Sequence, residues 1–178
     1  MPPSWLLDLL FWLAVLFLAG LYVSWRATRL DRLHVRVETA RAALDAALVR
    51  RAAVALELAA SRLLDPATSL VLATAAHEAR TADADGREFA ESDLSRALRA
   101  VVGQPDFRAT LDSRGDGTAL LDELEAACRK VTFARRFYND AVSATRIARR
   151  KLLVRVIPLA GKAPVPDFFE IDDVPPDF

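Results

Sequence analysis

The residues of this chain that could do chemistry are few. His77-Glu78 invites a metal or acid–base reading, but the H-E-x-x-H arrangement needs a second histidine where Thr81 stands. The other histidine, His34, belongs to a different predicted helix. Residues 112–123 approach a calcium loop, with Asp112, Asp116, Gly117 and Glu123 at ligand positions 1 and 5, the turn glycine and position 12. Arg114, however, falls at position 3 and would set a cation against the metal, so Arg114-Gly115-Asp116 reads as a polar turn. Cys128 lies on an apolar helical seam with no histidine nearby, which suits a buried small hydrophobe better than a nucleophile. Being the single cysteine, it excludes an internal disulfide and fits a reducing compartment. No glycine-rich phosphate loop and no Ser/His/Asp set can be assembled, so the sequence argues for no catalysis, no metal and no cofactor.

A basic stretch remains: Arg129, Lys130, Arg135, Arg136, Arg146, Arg149, Arg150, Lys151 and Arg155, against the one acid Asp140. These residues surround their helix rather than forming a stripe, and few aromatics are interleaved. With an overall charge of zero, nucleic acid is not expected as a partner.

The element that must position everything else is the first one. Residues 9–25 carry no charge, and the span reaches roughly the 20 apolar residues that a bilayer-crossing helix needs. Trp5, Tyr22 and Trp25 sit near its ends, where amphipathic rings favour the membrane interface. The flank before it has no Lys or Arg, and Leu21-Tyr22-Val23-Ser24-Trp25 is a poor cleavage site. Both features predict a retained anchor rather than a signal peptide. Arg26, Arg29, Arg32, Arg36 and Arg41 follow directly, so positive-inside reasoning places the N-terminus outside and the rest in the cytoplasm.

Beyond the anchor the chain reads as helix throughout, rich in Ala, Leu, Arg and Glu. Leu30, Leu33, Val37, Ala40, Leu44, Ala47, Val54 and Leu58 recur at helical spacing, broken by Arg51, in a helix expected over 26–64. Asp65-Pro66 stops it and starts a second helix over 66–82, with Asp65 as N-cap. A third helix is expected over 91–102, with another turn or two within 105–112. A long last helix follows over 118–156, with a seam at Leu121, Leu124, Cys128, Val131, Tyr138, Val142, Thr145, Leu152 and Val156. The expected organisation is a short N-terminal tail (1–4), a transmembrane helix (5–25), a cytoplasmic bundle (26–158) and an acidic Pro/Phe-rich tail (159–178). The fold class is all-α, with the transmembrane helix continuing into a long antiparallel helical bundle of two long and two short helices. That path would return Arg146, Arg149, Arg150, Lys151 and Arg155 to the membrane beside Arg26, Arg29, Arg32 and Arg36. There they would meet anionic headgroups, or the acidic tail would fold back on them. The near replacement of Lys by Arg hints at a GC-rich bacterial genome.

Residues 134–142, Ala-Arg-Arg-Phe-Tyr-Asn-Asp-Ala-Val, resemble the A-R-x-x-Y-N-x-x-V signature of the bacterial LemA family. Leu48-Val49-Arg50-Arg51, His77-Glu78, residues 104–109 and Phe168-Phe169-Glu170 fall in the family's order, and the resemblance covers residues 5–171. It departs at Ala52-Ala53-Val54-Ala55, where the family has Asp-Leu-Ile-Pro, and at Thr145-Arg146, where a second Tyr-Asn is usual. The resemblance implies a single-pass membrane protein with a long antiparallel helical domain and no established biochemical activity. It singles out Arg135, Tyr138, Asn139 and Val142.

Spacing places Tyr138 in the bundle seam with its hydroxyl bonded, and Asn139 is expected to bond an adjacent helix. The tail is expected either to dock on the bundle or to serve as a partner motif through Phe168, Phe169, Glu170 and Phe178, with Phe168-Phe169 packing on the domain and Phe178 the better partner contact. The expected role is a membrane-anchored, non-enzymatic scaffold binding a protein partner or itself. Anionic-lipid binding or envelope organisation through the basic helix ends is the alternative.

Overall fold

The computed structural model describes residues 4–105, 107–112, 117–150 and 164–178. Among them there are five helices and no strand: α1 (Ser4–Ala60), α2 (Pro66–Thr81), α3 (Arg87–Val102), α4 (Phe107–Asp112) and α5 (Gly117–Arg149). The protein is all-helical, as its composition predicts. Its N-terminal helix is long and apolar enough to cross a membrane: over Asp8–Trp25 the mean hydropathy is 1.8, and none of that stretch is buried. Contacts divide the chain into two compact units, Met1–Glu38 with Ala141–Pro166, and Thr39–Asp140 with Asp167–Phe178.

α1 runs unbroken from the apolar span into the buried seam, because no Pro interrupts it and its lone glycine, Gly20, stands in open space. It ends at Ala60, four residues before the expected Leu64. Arg62 adopts a left-handed φ of 60°, which no α-helix continues through. Ser61 Oγ donates to the Leu58 carbonyl (2.7 Å) and accepts from the Leu63 N–H (3.3 Å), closing the turn. The reversal costs roughly 1–2 kcal/mol. It is offset by Leu63 and Leu64, which pack against the core rather than prolong the helix.

α2 starts where Asp65-Pro66 predicts. Asp65 Oδ1 accepts from the N–H groups of Ala67 (3.0 Å) and Thr68 (3.1 Å). Those bonds, with the Thr68 side chain first, hold its carboxyl below the ordinary value. The turn 82–86 is closed by Asp83, whose carboxylate accepts from Gly86 N–H (2.8 Å). α3 begins at Arg87, four residues earlier than expected, because this turn is tight enough to start it there. Gly117 opens α5 against α4: a β-carbon there would lie 2.5 Å from the Leu111 carbonyl, so only glycine fits. α5 ends at Arg149, and Leu152, Val156 and the remainder of the expected helix lie outside the described residues. The same is true of Arg114 and Asp116 of the calcium-like loop.

The seam on α5 is buried at each described position: Leu121, Leu124, Cys128, Val131, Tyr138, Val142 and Thr145. On α1, Leu44, Ala47, Val54 and Leu58 are buried, and so are Leu48 and Ala55 beside them. The wider stripe follows from facing several helices rather than one. Ala52 to Leu58 of α1 join Leu72 and Ala76 of α2, Leu94 and Leu98 of α3, Phe107 and Leu111 of α4, and Leu121 and Leu124 of α5 in one cluster. Cys128 lies in it, and burial pushes its thiol up, away from the reactive thiolate.

Candidate functional site: a groove holding the tail

Residues 164–178 carry no regular secondary structure, yet 167–178 are seated against α1, α3 and α5 through named side chains. Asn139 is the centre of this arrangement. Its Nδ2 donates to the Phe169 carbonyl (3.0 Å), and its Oδ1 accepts from the Phe169 N–H (2.9 Å). One side-chain amide thereby satisfies both main-chain groups of a single residue, as a neighbouring strand would. Tyr138 donates its hydroxyl to the Asp167 carbonyl (2.8 Å). Both residues act on the tail, which corrects the expectation that Asn139 bonds an adjacent helix. The sequence marks it as a residue in need of a partner but not which element supplies one.

Phe169 fills the groove and is 4% exposed. The Arg41 guanidinium lies 5.6 Å from the Phe169 ring centre and 5.5 Å from that of Tyr138, within cation–π range of both. Asp45 pairs with Arg41 (3.5 Å) and with Arg87 (3.3 Å), which orients the cation. Phe168 and Glu170, on either side, are exposed, the alternation an extended chain imposes. Phe168 therefore does not pack as its neighbour does.

Two charge clamps follow. Arg99 of α3 grips the Asp172 carboxylate with both Nη atoms, Nη1 at 3.0 Å, and Nη1 also donates to the Val174 carbonyl (2.9 Å). This contact holds the Asp172 carboxyl below its ordinary range. Arg135 of α5 is bidentate to Asp173, at 2.8 Å from Nε and 3.1 Å from Nη2. Thr132 donates to the Asp173 carbonyl (3.1 Å), and Ser92 Oγ accepts from the Asp172 N–H (3.1 Å). Glu88 accepts from the Glu170 N–H (2.9 Å). Pro176 is buried, and Phe178 is half-buried against the core cluster, so Phe178 is not the free contact its sequence suggests.

The other expected site residues are distributed as follows. Val142 is fully buried and makes part of the packing. Arg146 donates from Nε to the Pro166 carbonyl (2.8 Å), and Arg149 donates to the Pro164 carbonyl (2.7 Å). With Arg150 and Val165 they line an open pocket of about 450 Å³. Arg29, Arg32, Arg36 and Arg150 are exposed, whereas Lys151, Arg155 and the Arg26 side chain lie outside what is described. His77 and Glu78 are exposed, Glu78 beside an open apolar groove of about 590 Å³ that includes Leu70, Val71 and Ala97. Among the described residues no three His, Cys, Asp or Glu side chains converge as metal ligands would.

One polar constellation escapes the sequence reading. Arg51, which breaks the α1 seam, is 2% exposed and meets Glu91 of α3, 1% exposed. Its Nη2 donates to Glu91 Oε2 (2.7 Å) and the Glu91 carbonyl (3.1 Å), and its Nη1 donates to Ser95 Oγ (2.9 Å). Burial pushes the Glu91 carboxyl up, and Arg51 opposes that shift. The available signal was a charge on each of two apolar faces, since Glu91 and Ser95 share α3's buried side with Leu94 and Leu98.

Compared with known proteins, the chain matches no family model, no curated protein and no solved structure. Its class rests on its own geometry: among the described residues, an all-helical protein with one helix long and apolar enough to span a membrane, and a groove on the helical core that holds an extended acidic-aromatic segment.

Proposed function

We propose that this protein is a single-pass, membrane-anchored, non-enzymatic scaffold of LemA-like architecture, presenting an antiparallel helical bundle at the inner face of a bacterial membrane and binding a protein partner or itself. The observation that carries this reading is α1. One uninterrupted helix bears an apolar span exposed all round and, further along, a stripe buried in the core. An exposed apolar surface of that extent needs a non-aqueous environment. The antiparallel arrangement is supported by the tail: from Asp167 to Asp173 its contacts descend α5 from Tyr138 to Thr132 while they ascend α3 from Glu88 to Arg99. The scaffold role is supported by the use made of the polar groups, whose organised clusters hold chain to chain. The N-terminus-out orientation rests on the basic residues after the span.

The test is in-cell crosslinking of the full chain, beside a version ending at Gly161, after membranes are washed at alkaline pH. Retention in the membrane with a protein crosslinked in high salt supports the reading. Release by the wash overturns the anchor. For orientation, an Asp85→Cys thiol in the exposed 82–86 turn is expected to react with an impermeant reagent only after lysis. A second reading, contact with anionic lipid, is favoured by the exposed Arg29, Arg32 and Arg36 following the span. Salt-sensitive crosslinking to lipid alone would select it.

A further inference from the structure

Two apolar surfaces of the helical core are left in water by the chain itself. The first is the open groove of about 590 Å³ between α2 and α3. Leu70 and Val71 line one wall, each more than half exposed, and the small Ala97 and Ala100 line the other. Its rim is acidic toward the turn 82–86: Glu78 lies on it, and Asp83 and Asp85 are exposed in the turn. Arg96, the cation of the same groove, pairs with Asp93 and leans over the exposed Phe89 ring at 6.0 Å.

The second surface is a ridge on α5. Phe133 and Phe137, four residues apart, share one face of the helix, and each is more than half exposed. Lys130 and Arg136 stand three residues before and after Phe133, both exposed. Whereas Arg129 beside them pairs with Glu125, neither forms an ion pair among the described residues. Ridge and groove are thus opposites in shape and in charge. From Leu70 to Glu78 the groove runs about 12 Å at the helical rise, enough for two rings set about 6 Å apart with a cation beyond them.

We propose that ridge and groove bind each other between copies: Phe133 and Phe137 of one chain enter the α2–α3 groove of a second, and Lys130 and Arg136 meet the Glu78 rim. This rests on the anchored-scaffold reading above and names its partner as a second copy of this chain. Charge complementarity selects that occupant, because one sequence carries both the basic aromatic ridge and the acid-rimmed apolar groove and covers neither. A contact this small holds weakly between free molecules. Copies anchored in one membrane with one orientation meet at a high effective concentration, which offsets the small area. The contact is heterologous: a copy that gives its ridge keeps its groove open, so association propagates beyond a pair.

The experiment uses full-length chains carrying two different affinity tags in the same proteoliposomes. Leu70→Asp/Val71→Asp spoils the groove and keeps the ridge; Phe133→Asp/Phe137→Asp spoils the ridge and keeps the groove. All four positions are exposed, so both variants should keep the thermal midpoint of the parent. The parent is expected to co-capture itself in assemblies larger than a pair, and neither variant to co-capture itself. Mixing the two variants restores one good contact, so co-capture should rise on the order of ten-fold over either alone and stop at pairs. In a charge arm, Glu78→Arg and Lys130→Glu/Arg136→Glu should each weaken association and rescue one another when mixed. Co-capture in the mixture no greater than that of the variants alone overturns the proposal. So does loss in the ridge variant without rescue, which would assign the ridge to lipid or to a foreign protein. Retention of every variant after the alkaline wash reads the anchor separately, so a failed contact and a failed anchor are told apart.

Discussion

Two sets of arginine–carboxylate contacts in this molecule, one in the helical interior and one in the tail groove, have different consequences. In the helical interior, Arg51 and Glu91 are almost fully shielded from water and share their bonds with Ser95. In the tail groove, Arg99–Asp172 and Arg135–Asp173 have better paired geometry but remain partly in water. Burial makes the first pair a structural commitment, since neither charge can be left alone in that environment. Partial exposure makes the second set reversible, because water replaces each lost contact at little cost. The interior pair holds helix to helix; the groove pairs hold the tail to the helices.

The largest effect tests the interior. Glu91→Ala strands the Arg51 charge and is expected to cost about 3–5 kcal/mol in chemical denaturation. Replacing both partners at once, Glu91→Leu with Arg51→Met, should lose far less, because an apolar pair of similar volume removes the desolvation penalty. A loss below about 1 kcal/mol in Glu91→Ala would put this pair with the exposed ones and erase the contrast.

Asn139→Ala comes next. It leaves both main-chain groups of Phe169 without their partner, for a loss of about 1–3 kcal/mol felt by the tail. Hydrogen exchange at the Phe169 amide should accelerate strongly while amides of α3 and α5 stay protected. Uniform acceleration would mean that tail and core form one cooperative unit. Asp173→Asn is expected to be smaller still, within about 1 kcal/mol, and to shrink further as salt is raised.

Acid sharpens the same comparison. Asp172 sits below its ordinary value of 3.8 because Arg99 bonds the ionised form. Its contribution is therefore present above pH 3.8 and lost as pH falls through its folded-state value. Glu91 is shifted the other way, above 4.5, because burial disfavours its charge while Arg51 opposes the shift, so acid withdraws less from this pair than from Asp172. On acidification, the Asp172 amide should lose protection before the amides of α3 do. Simultaneous loss would contradict the assignment of the two environments.

Much of the architecture was legible beforehand, and the reasons are local. The uncharged run before Trp25, the Asp65-Pro66 start of α2 and the α5 seam depend on residues within a turn or two of one another. Where local signals were weak, the boundaries moved: α1 stops at Arg62's left-handed turn, which nothing in Ser61-Arg62-Leu63 announces. The site was half legible. Tyr138 and Asn139 stood out as polar residues on or beside a buried seam, yet both bind the tail, and Phe178 turned inward rather than out.

By itself, then, the sequence determined the helices, their buried faces and the apolar span, because periodicity and capping are set by near neighbours and by solvent. Only the tertiary structure decided that Arg51 finds Glu91 forty residues away, and that Asn139 finds Phe169 thirty residues away. A polar group's need for a partner is intrinsic to its chemistry. Which partner satisfies it depends on how helices of given lengths and turns pack, and no residue's immediate neighbours contain that information.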